Sequence, residues 1–171
     1  EMCIRDSVMI EHLAINNFIK GITDRIDFTS YSTILSLTTI SFDIFVLETL
    51  LPLTKGIKIV IANEDEQTET QLMAALILQH GVEIIQTTPS RMQLIMSDEE
   101  CVKCIKDLKL IMIGGEAAKQ TLVDELRKLS NAKIYNMYGP TETTVWSTLK
   151  DLRESPAISI GKPIALSLIH I

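Results

Sequence analysis

The chain has 171 residues, 46% hydrophobic and 22% charged, with 16 Lys and Arg against 22 Asp and Glu and a formal net charge of −6. That length supports one domain burying about two-thirds of its unfolded surface, and the composition excludes the disordered and fibrous classes. A negative chain with no segregated basic patch argues against nucleic acid as a partner; no apolar run reaches the ~18 residues of a membrane span, and three cysteines without a secretory signal point to a reducing, cytoplasmic setting.

In chain order, the first feature is a terminal segment that must be judged together with the last. Residues 2–7 (Met-Cys-Ile-Arg-Asp-Ser) and 166–171 (Leu-Ser-Leu-Ile-His-Ile) do not continue the patterns beside them. Back-translated, one encodes the other on the opposite strand in a shifted frame. They resemble a translated transposase end sequence of the kind used in sequencing libraries, so residues 1–7 and 166–171 are expected to be adapter-encoded scars around a natural segment, 8–165, cut from a longer reading frame.

Within that segment, short apolar runs alternate with amphipathic stretches, the pattern of an α/β fold with a mostly parallel sheet and flanking helices. Tyr31–Thr39 is β-branched and reads as a strand; Asp43 then stands where it can cap a helix running to about Thr54, closed by Gly56. Ile57–Ala62 reads as a strand, the acidic stretch Asn63–Glu69 as a solvated loop, and Thr70–His80 as a helix ended by Gly81. Val82–Gln86 follows as a strand, with Pro89 suited to the first turn of the next helix. Leu108–Ile113 is a buried strand before Gly114 and Gly115, Gln120–Leu129 a helix with an apolar face on Leu122, Val123, Leu126 and Leu129, and Lys133–Met137 a strand leading into Tyr138-Gly139-Pro140. Thr144–Thr148 reads as one further strand. No repeat, linker or internal domain boundary is visible.

Open α/β sheets bind ligands beyond the carboxyl ends of their strands. Three segments hold such places: Phe42-Asp43, Gly114-Gly115-Glu116, and the run from Asn136 to Glu142. The glycines permit close backbone approach to a ligand, Tyr138 offers an aromatic face, Thr141 a hydroxyl, and Glu142 a hard oxygen suited to Mg²⁺. These residue types point to a nucleotide site, although Gly-Gly and Tyr-Gly-Pro, each taken alone, are ordinary turns.

The string Asn136-Met-Tyr-Gly-Pro-Thr-Glu-Thr-Thr-Val-Trp146, with Ser41-Phe42-Asp43 upstream and Ile160-Gly161-Lys162-Pro163 downstream, resembles the adenylation domains of nonribosomal peptide synthetases. The resemblance covers essentially all of residues 8–165, and the Tyr-Gly-Pro-Thr-Glu motif is highly specific for adenylate-forming enzymes. It implies the large N-terminal domain of such an enzyme, with ATP and Mg²⁺, and a reaction in which an amino acid's carboxylate attacks the α-phosphorus, pyrophosphate leaves, and the aminoacyl adenylate passes to a phosphopantetheine thiol. Peptidyl carrier and condensation domains are the implied partners. By resemblance Tyr138 stacks on adenine, Asn136 reads its amino edge, Gly115, Glu116 and Gly139 lie along the nucleotide, Thr141 touches the α-phosphate, Glu142 holds Mg²⁺, and Asp43 pairs with the substrate's α-ammonium.

In the resembled family one pocket sets amino-acid selectivity, and the matching positions are Asp43, Ile44, Leu47, Gln86, Met112, Gly114, Met137, Val145 and Trp146. Most are large and none but Asp43 is charged. The pattern implies glycine, with alanine as runner-up because one methyl group gives only about 1–3 kcal/mol of discrimination. The family's glycine-rich phosphate loop, its Tyr-x-Thr-Gly-Asp motif and the small domain carrying its catalytic lysine have no counterpart in the sequence, so the chain alone is expected to be inactive. Two readings stay open beside this one, another adenylate-forming enzyme such as an acyl-CoA synthetase and a non-catalytic α/β nucleotide-binding module. Cys101 and Cys104, spaced C-x-x-C without a second Cys/His pair, are expected to be plain thiols, and His12 and His80 to be surface or helix-end residues.

Overall fold

The computed structural model describes residues 8–165, and the two adapter-like ends lie outside the described residues. Helix α1 (His12–Thr23) precedes strand β1 (Thr33–Ser36), helix α2 (Phe45–Lys55) and strand β2 (Lys58–Ile61). Two helices, α3 (Glu64–Thr68) and α4 (Thr70–His80), lead to β3 (Ile84–Thr87). Helices α5 (Pro89–Met96) and α6 (Glu99–Asp107) lead to β4 (Leu110–Gly114), then α7 (Gln120–Leu129), β5 (Lys133–Tyr138), β6 (Thr148–Asp151) and the short β7 (Lys162–Pro163).

The strands form one sheet in the order β2-β1-β3-β4-β5-β6-β7, parallel through β5 and antiparallel at β6 and β7. β1, β3 and β4 are buried along their whole length, which is why none of them alternates apolar with polar residues. Apolar side chains pack into one cluster on each face. One joins α4, α6 and α7 through Met73, Ile77, Cys104, Ile105 and Leu126; the other joins α1 and α2 through Phe18, Ile22, Leu47 and Leu51 and contains Trp146. Gly56 and Gly81 close α2 and α4 in the left-handed conformation expected of helix stops.

Four local expectations are corrected. The acidic stretch after β2 is a short helix, because Asn63 and Glu66 form a capping box: Asn63 Oδ1 accepts from Glu66 N at 2.9 Å and Glu66 Oε2 from Asn63 N at 2.8 Å. Asp43 does not cap α2; the helix begins one residue later, with Ile44 at the cap position and no side-chain cap bond. Thr144–Thr148 is not a strand, since Thr144 and Val145 both take positive φ (69° and 63°), and pairing starts only at Thr148. Helices α1 and α6, absent from the sequence reading, are amphipathic. α6 is capped by Asp98, whose Oδ1 accepts from Glu100 N and Cys101 N, and it buries Cys101, Cys104 and Ile105 at i, i+3 and i+4.

Both cysteines are free and buried; Cys101 Sγ donates to Thr70 O at 2.9 Å, and burial pushes its thiol up to about 12. They are inert packing groups. Among the described residues no His, Cys, Asp or Glu cluster has the make-up of a metal centre, and no helix is long and apolar enough to cross a membrane.

Candidate functional site

The parallel strands deliver the three singled-out segments to two adjoining recesses at their carboxyl ends. The first, about 540 Å³, is walled by the β1–α2 segment (Thr38, Phe42, Asp43, Ile44), by Arg91, and by Thr141 and Val145. The second, about 450 Å³, is lined by Ala117, Ala118, Asn136, Met137, Tyr138 and Ile160. Gly115, Glu116, Gly139, Pro140 and Trp146 border both. A separate cleft of about 650 Å³, lined by Arg25, Tyr135, Lys150, Asp151 and Glu154 among others, contains none of the predicted site residues.

Trp146 divides the site. Its ring packs against Gly114: a Cβ there would lie 2.7 Å from the Trp146 ring and 2.6 Å from the Met137 carbonyl, so only glycine fits. Its Nε1 donates to Gln86 Oε1 at 3.2 Å. Leu47, Met112, Met137 and Val145 belong to the same buried cluster, and Ile44 packs against it. Of the nine predicted pocket positions, Asp43, Ile44, Val145 and Trp146 line the first recess, Met137 lines the second, and Leu47, Gln86, Met112 and Gly114 are buried. Met112 and Leu47 are wholly buried in the cluster that contains Trp146.

Trp146 owes its place to the turn before it. Tyr138-Gly139-Pro140 runs so close to the returning chain that a Cβ at Gly139 would lie 2.7 Å from Ser147 N, Trp146 Cα and Val145 O. Ser147 N donates to Tyr138 O at 2.8 Å, and the Thr143 and Ser147 hydroxyls hydrogen-bond each other. Between these ties Thr144 and Val145 are held in the left-handed region, where a β-branched residue is strained by about 1–2 kcal/mol. The surrounding contacts hold that strain in place, at a turn whose Val145 lines the first recess.

On the second recess, Tyr138 is 48% exposed, its ring available as a flat face. Asn136 is buried and donates Nδ2 to Ser159 O at 2.8 Å, which leaves its oxygen as the end suited to a ligand amino group. The Gly115-Glu116 turn is fixed from the side: Glu116 Oε2 accepts from Ser90 Oγ and, at 3.2 Å, from Ser90 N at the start of α5. The Ser90 hydroxyl, followed by the backbone bond, holds the Glu116 carboxyl below the usual range. Thr141 and Glu142 are exposed on the turn that follows, and Glu142 enters no ion pair among the described residues. Arg91, which the sequence reading passed over, is a half-buried cation in the first recess. It donates to Leu37 O and Gln67 O, and burial draws its guanidinium down from its ordinary value.

The family of AMP-binding enzymes matches residues 7–171. A dimodular nonribosomal peptide synthase of Bacillus subtilis (strain 168) is 33% identical over 167 residues, covering 96% of this chain and 7% of that protein. Tyrocidine synthase 3 of Brevibacillus parabrevis is 36% identical over 160 residues, covering 92% of this chain and 2% of that protein. Among solved structures, holo-AB3403, a four-domain nonribosomal peptide synthetase bound to AMP and glycine, superposes with a TM-score of 0.79 at 29% identity over 92% of this chain and 12% of that one. The AMPPNP-bound synthetase FmoA3 (S1046A) gives 0.81 at 23% identity over 92% of this chain and 18% of that one, a likeness of fold. The chain therefore belongs to the AMP-binding enzyme family. Within that family it matches the adenylation domains of nonribosomal peptide synthetases, spanning a small part of the relatives' length.

Proposed function

We propose that this chain carries the nucleotide- and amino-acid-binding walls of an ATP-dependent adenylation domain that activates glycine as glycyl-AMP for transfer to a carrier-bound phosphopantetheine. The observation that carries the reading is the indole of Trp146, which rests on Gly114, is tied to Gln86 and lines the same recess as Asp43. On this reading Asp43, half-buried on the wall of the first recess, pairs with the substrate α-ammonium, and Trp146, in one buried cluster with Met112 and Leu47, takes up the space a side chain would enter. A charged side chain there would be buried without a partner, at a cost of several kcal/mol. The glycine bound to holo-AB3403 is consistent with this assignment.

For the nucleotide, Tyr138 supplies the stacking face, Asn136 Oδ1 accepts from the adenine amino group, and the Gly115-Glu116 turn lies along the recess between the two. Thr141, at the rim of the first recess, is the hydroxyl for the α-phosphate. These groups do little covalent work: they hold carboxylate and α-phosphorus in line. Glu142 fits Mg²⁺, which is commonly held by one or two carboxylates with water and substrate phosphates: it is an exposed carboxylate next in sequence to Thr141, which lines the first recess. When bound, the cation neutralises charge gathering on the phosphate oxygens. Carrier and condensation domains are the partners this reaction requires.

The test is amino-acid-dependent ATP–pyrophosphate exchange by a complete adenylation domain containing this segment. Glycine is expected to drive exchange best, followed by alanine. Best exchange with phenylalanine or leucine overturns the glycine assignment, and exchange driven only by carboxylic acids lacking an amine points to an acyl-activating enzyme instead.

A further inference from the structure

The β1–α2 segment that presents Asp43 has no regular structure between Ser36 and Phe45, yet it forms one wall of the first recess. What holds it lies outside the recess, on the helix that follows. Glu48, in the first turn of α2 and wholly buried, accepts four hydrogen bonds from the segment's start: Oε2 from Ser36 Oγ at 3.0 Å and from Leu37 N and Thr38 N at 2.9 Å each, and Oε1 from Thr38 Oγ1 at 2.7 Å. Arg91 takes the other side of the same residue, donating to Leu37 O. Leu37 is therefore held at both of its backbone polar groups. The segment is a closed loop: it leaves β1 at residues bound to Glu48, passes Asp43, and returns to the helix that carries Glu48.

A buried carboxylate costs several kcal/mol unless its lone pairs are satisfied, and packing alone would favour an apolar residue here. The geometry points to Glu48 as the positioning residue of the amino-acid subsite: it touches no ligand, but it fixes where Asp43 stands. This rests on the reading of Asp43 as the partner of the substrate's α-ammonium. All four bonds run toward the carboxylate. Glutamine reproduces them if its oxygen takes the Oε2 place and its amide donates to Thr38 Oγ1, a hydroxyl free to turn and accept.

The experiment is steady-state exchange kinetics on the complete adenylation domain, unmutated and as Glu48→Ala, Glu48→Gln and Thr38→Val. Glu48→Ala is expected to raise the amino-acid KM about tenfold while the ATP KM moves less than about twofold, since the nucleotide groups sit on β5 and on the turns after β4 and β5. Glu48→Gln should restore the amino-acid KM to within about threefold of the unmutated value, and Thr38→Val, which removes one bond, should raise it by about threefold. If Glu48→Ala does not fold, Thr38→Val and Glu48→Gln carry the comparison. Equal shifts in both KM values, or a fall in kcat alone, overturn the inference and leave the functional reading standing. No amino-acid-dependent exchange in the unmutated domain overturns both.

Discussion

Trp146 and Gln86, sixty positions apart in the chain, are joined by a hydrogen bond from the indole Nε1 to Oε1 at 3.2 Å inside a site where neither residue is more than 2% exposed. The bond satisfies the indole and fixes the ring's rotation, so the depth of the first recess is set by a held group. Gln86 Nε2 has no partner among the described residues. An unpaired buried donor costs about 1–3 kcal/mol, and that cost accompanies a Gln86 committed to holding the ring.

Gly114 carries the other edge of that ring. With Gly114→Ala the added methyl meets the Met137 carbonyl as well as the indole, and a backbone oxygen cannot swing aside as a side chain does. Stability should fall by about 1–3 kcal/mol, the usual cost of overpacking. Urea unfolding followed by the emission of Trp146, the single tryptophan of the chain, measures this directly. An unfolding midpoint equal to that of the unmutated chain would contradict the packing described.

Tyr138 and Glu142 are close in sequence but face different parts of the proposed nucleotide. In a complete adenylation domain Tyr138→Ala should weaken ATP binding by about tenfold, from a stacking contribution of about 1–3 kcal/mol. Glu142→Ala should leave ATP binding within about twofold but slow adenylate formation, and raise the Mg²⁺ concentration needed for half-maximal rate. Matching small effects of the two changes would remove the distinction.

Much of this site could be read before any coordinates. The helices Thr70–His80 and Gln120–Leu129 have the bounds expected from their glycine stop and apolar face; Gly114 and Gly139 stand where the chain passes tightly against itself, and Gly115 takes a positive φ of 84°. The run from Thr144 to Thr148 misled because β-branched and aromatic residues favour strands, whereas here the contact of Gly139 with the returning chain forces Thr144 and Val145 into a turn. Asn63 and Glu66 carried a visible capping signature that their acidic neighbours masked. Glu48 was not legible at all: it is one acid in the first turn of an apolar helix, and its partners lie ten to twelve positions earlier, where only the fold reveals them.

Burial pushes the Glu48 carboxyl up from its ordinary value of 4.5, against the pull of its hydrogen bonds from Thr38, Ser36 and Leu37; Arg91 is the charged group that faces it. A carboxyl raised in the folded state binds its proton more tightly there than when unfolded. Its stabilising contribution is complete below the unfolded value and is lost as pH rises through the folded one. Glu83 and Glu116, both lowered, work in the opposite sense and partly hide this in the unmutated chain. The difference between Glu48→Gln and the unmutated chain cancels them. In urea unfolding from pH 4 to 8, that difference should move in favour of the glutamine as pH rises above about 4.5 and then level off. A difference independent of pH would mean that Glu48 titrates alike in both states.

Trp146 is expected to govern which side chains the amino-acid subsite excludes. The indole lines the same recess as Asp43, rests on Gly114, is held by Gln86, and belongs to a buried cluster, and close-packed interiors relax only partly when a large side chain is removed. Trp146→Ala therefore leaves a cavity instead of a collapsed wall, at a stability cost of about 3–5 kcal/mol. The cluster around it is apolar, with Leu47, Met112 and Met137 among its members, and the Gln86 amide that bonded the indole would face the space left. Aliphatic side chains should enter it, and carboxylate or ammonium side chains should not, because no opposite charge stands within it. In ATP–pyrophosphate exchange by the complete domain, the glycine KM should change little, since Asp43 and the nucleotide groups are untouched. Exchange with leucine or methionine should rise by about ten- to a hundredfold, corresponding to about 1–3 kcal/mol of relieved exclusion. Thermal unfolding run alongside separates this gain from loss of fold. A variant that stays folded, keeps glycine activity and still rejects leucine would show that the boundary of the amino-acid pocket lies elsewhere.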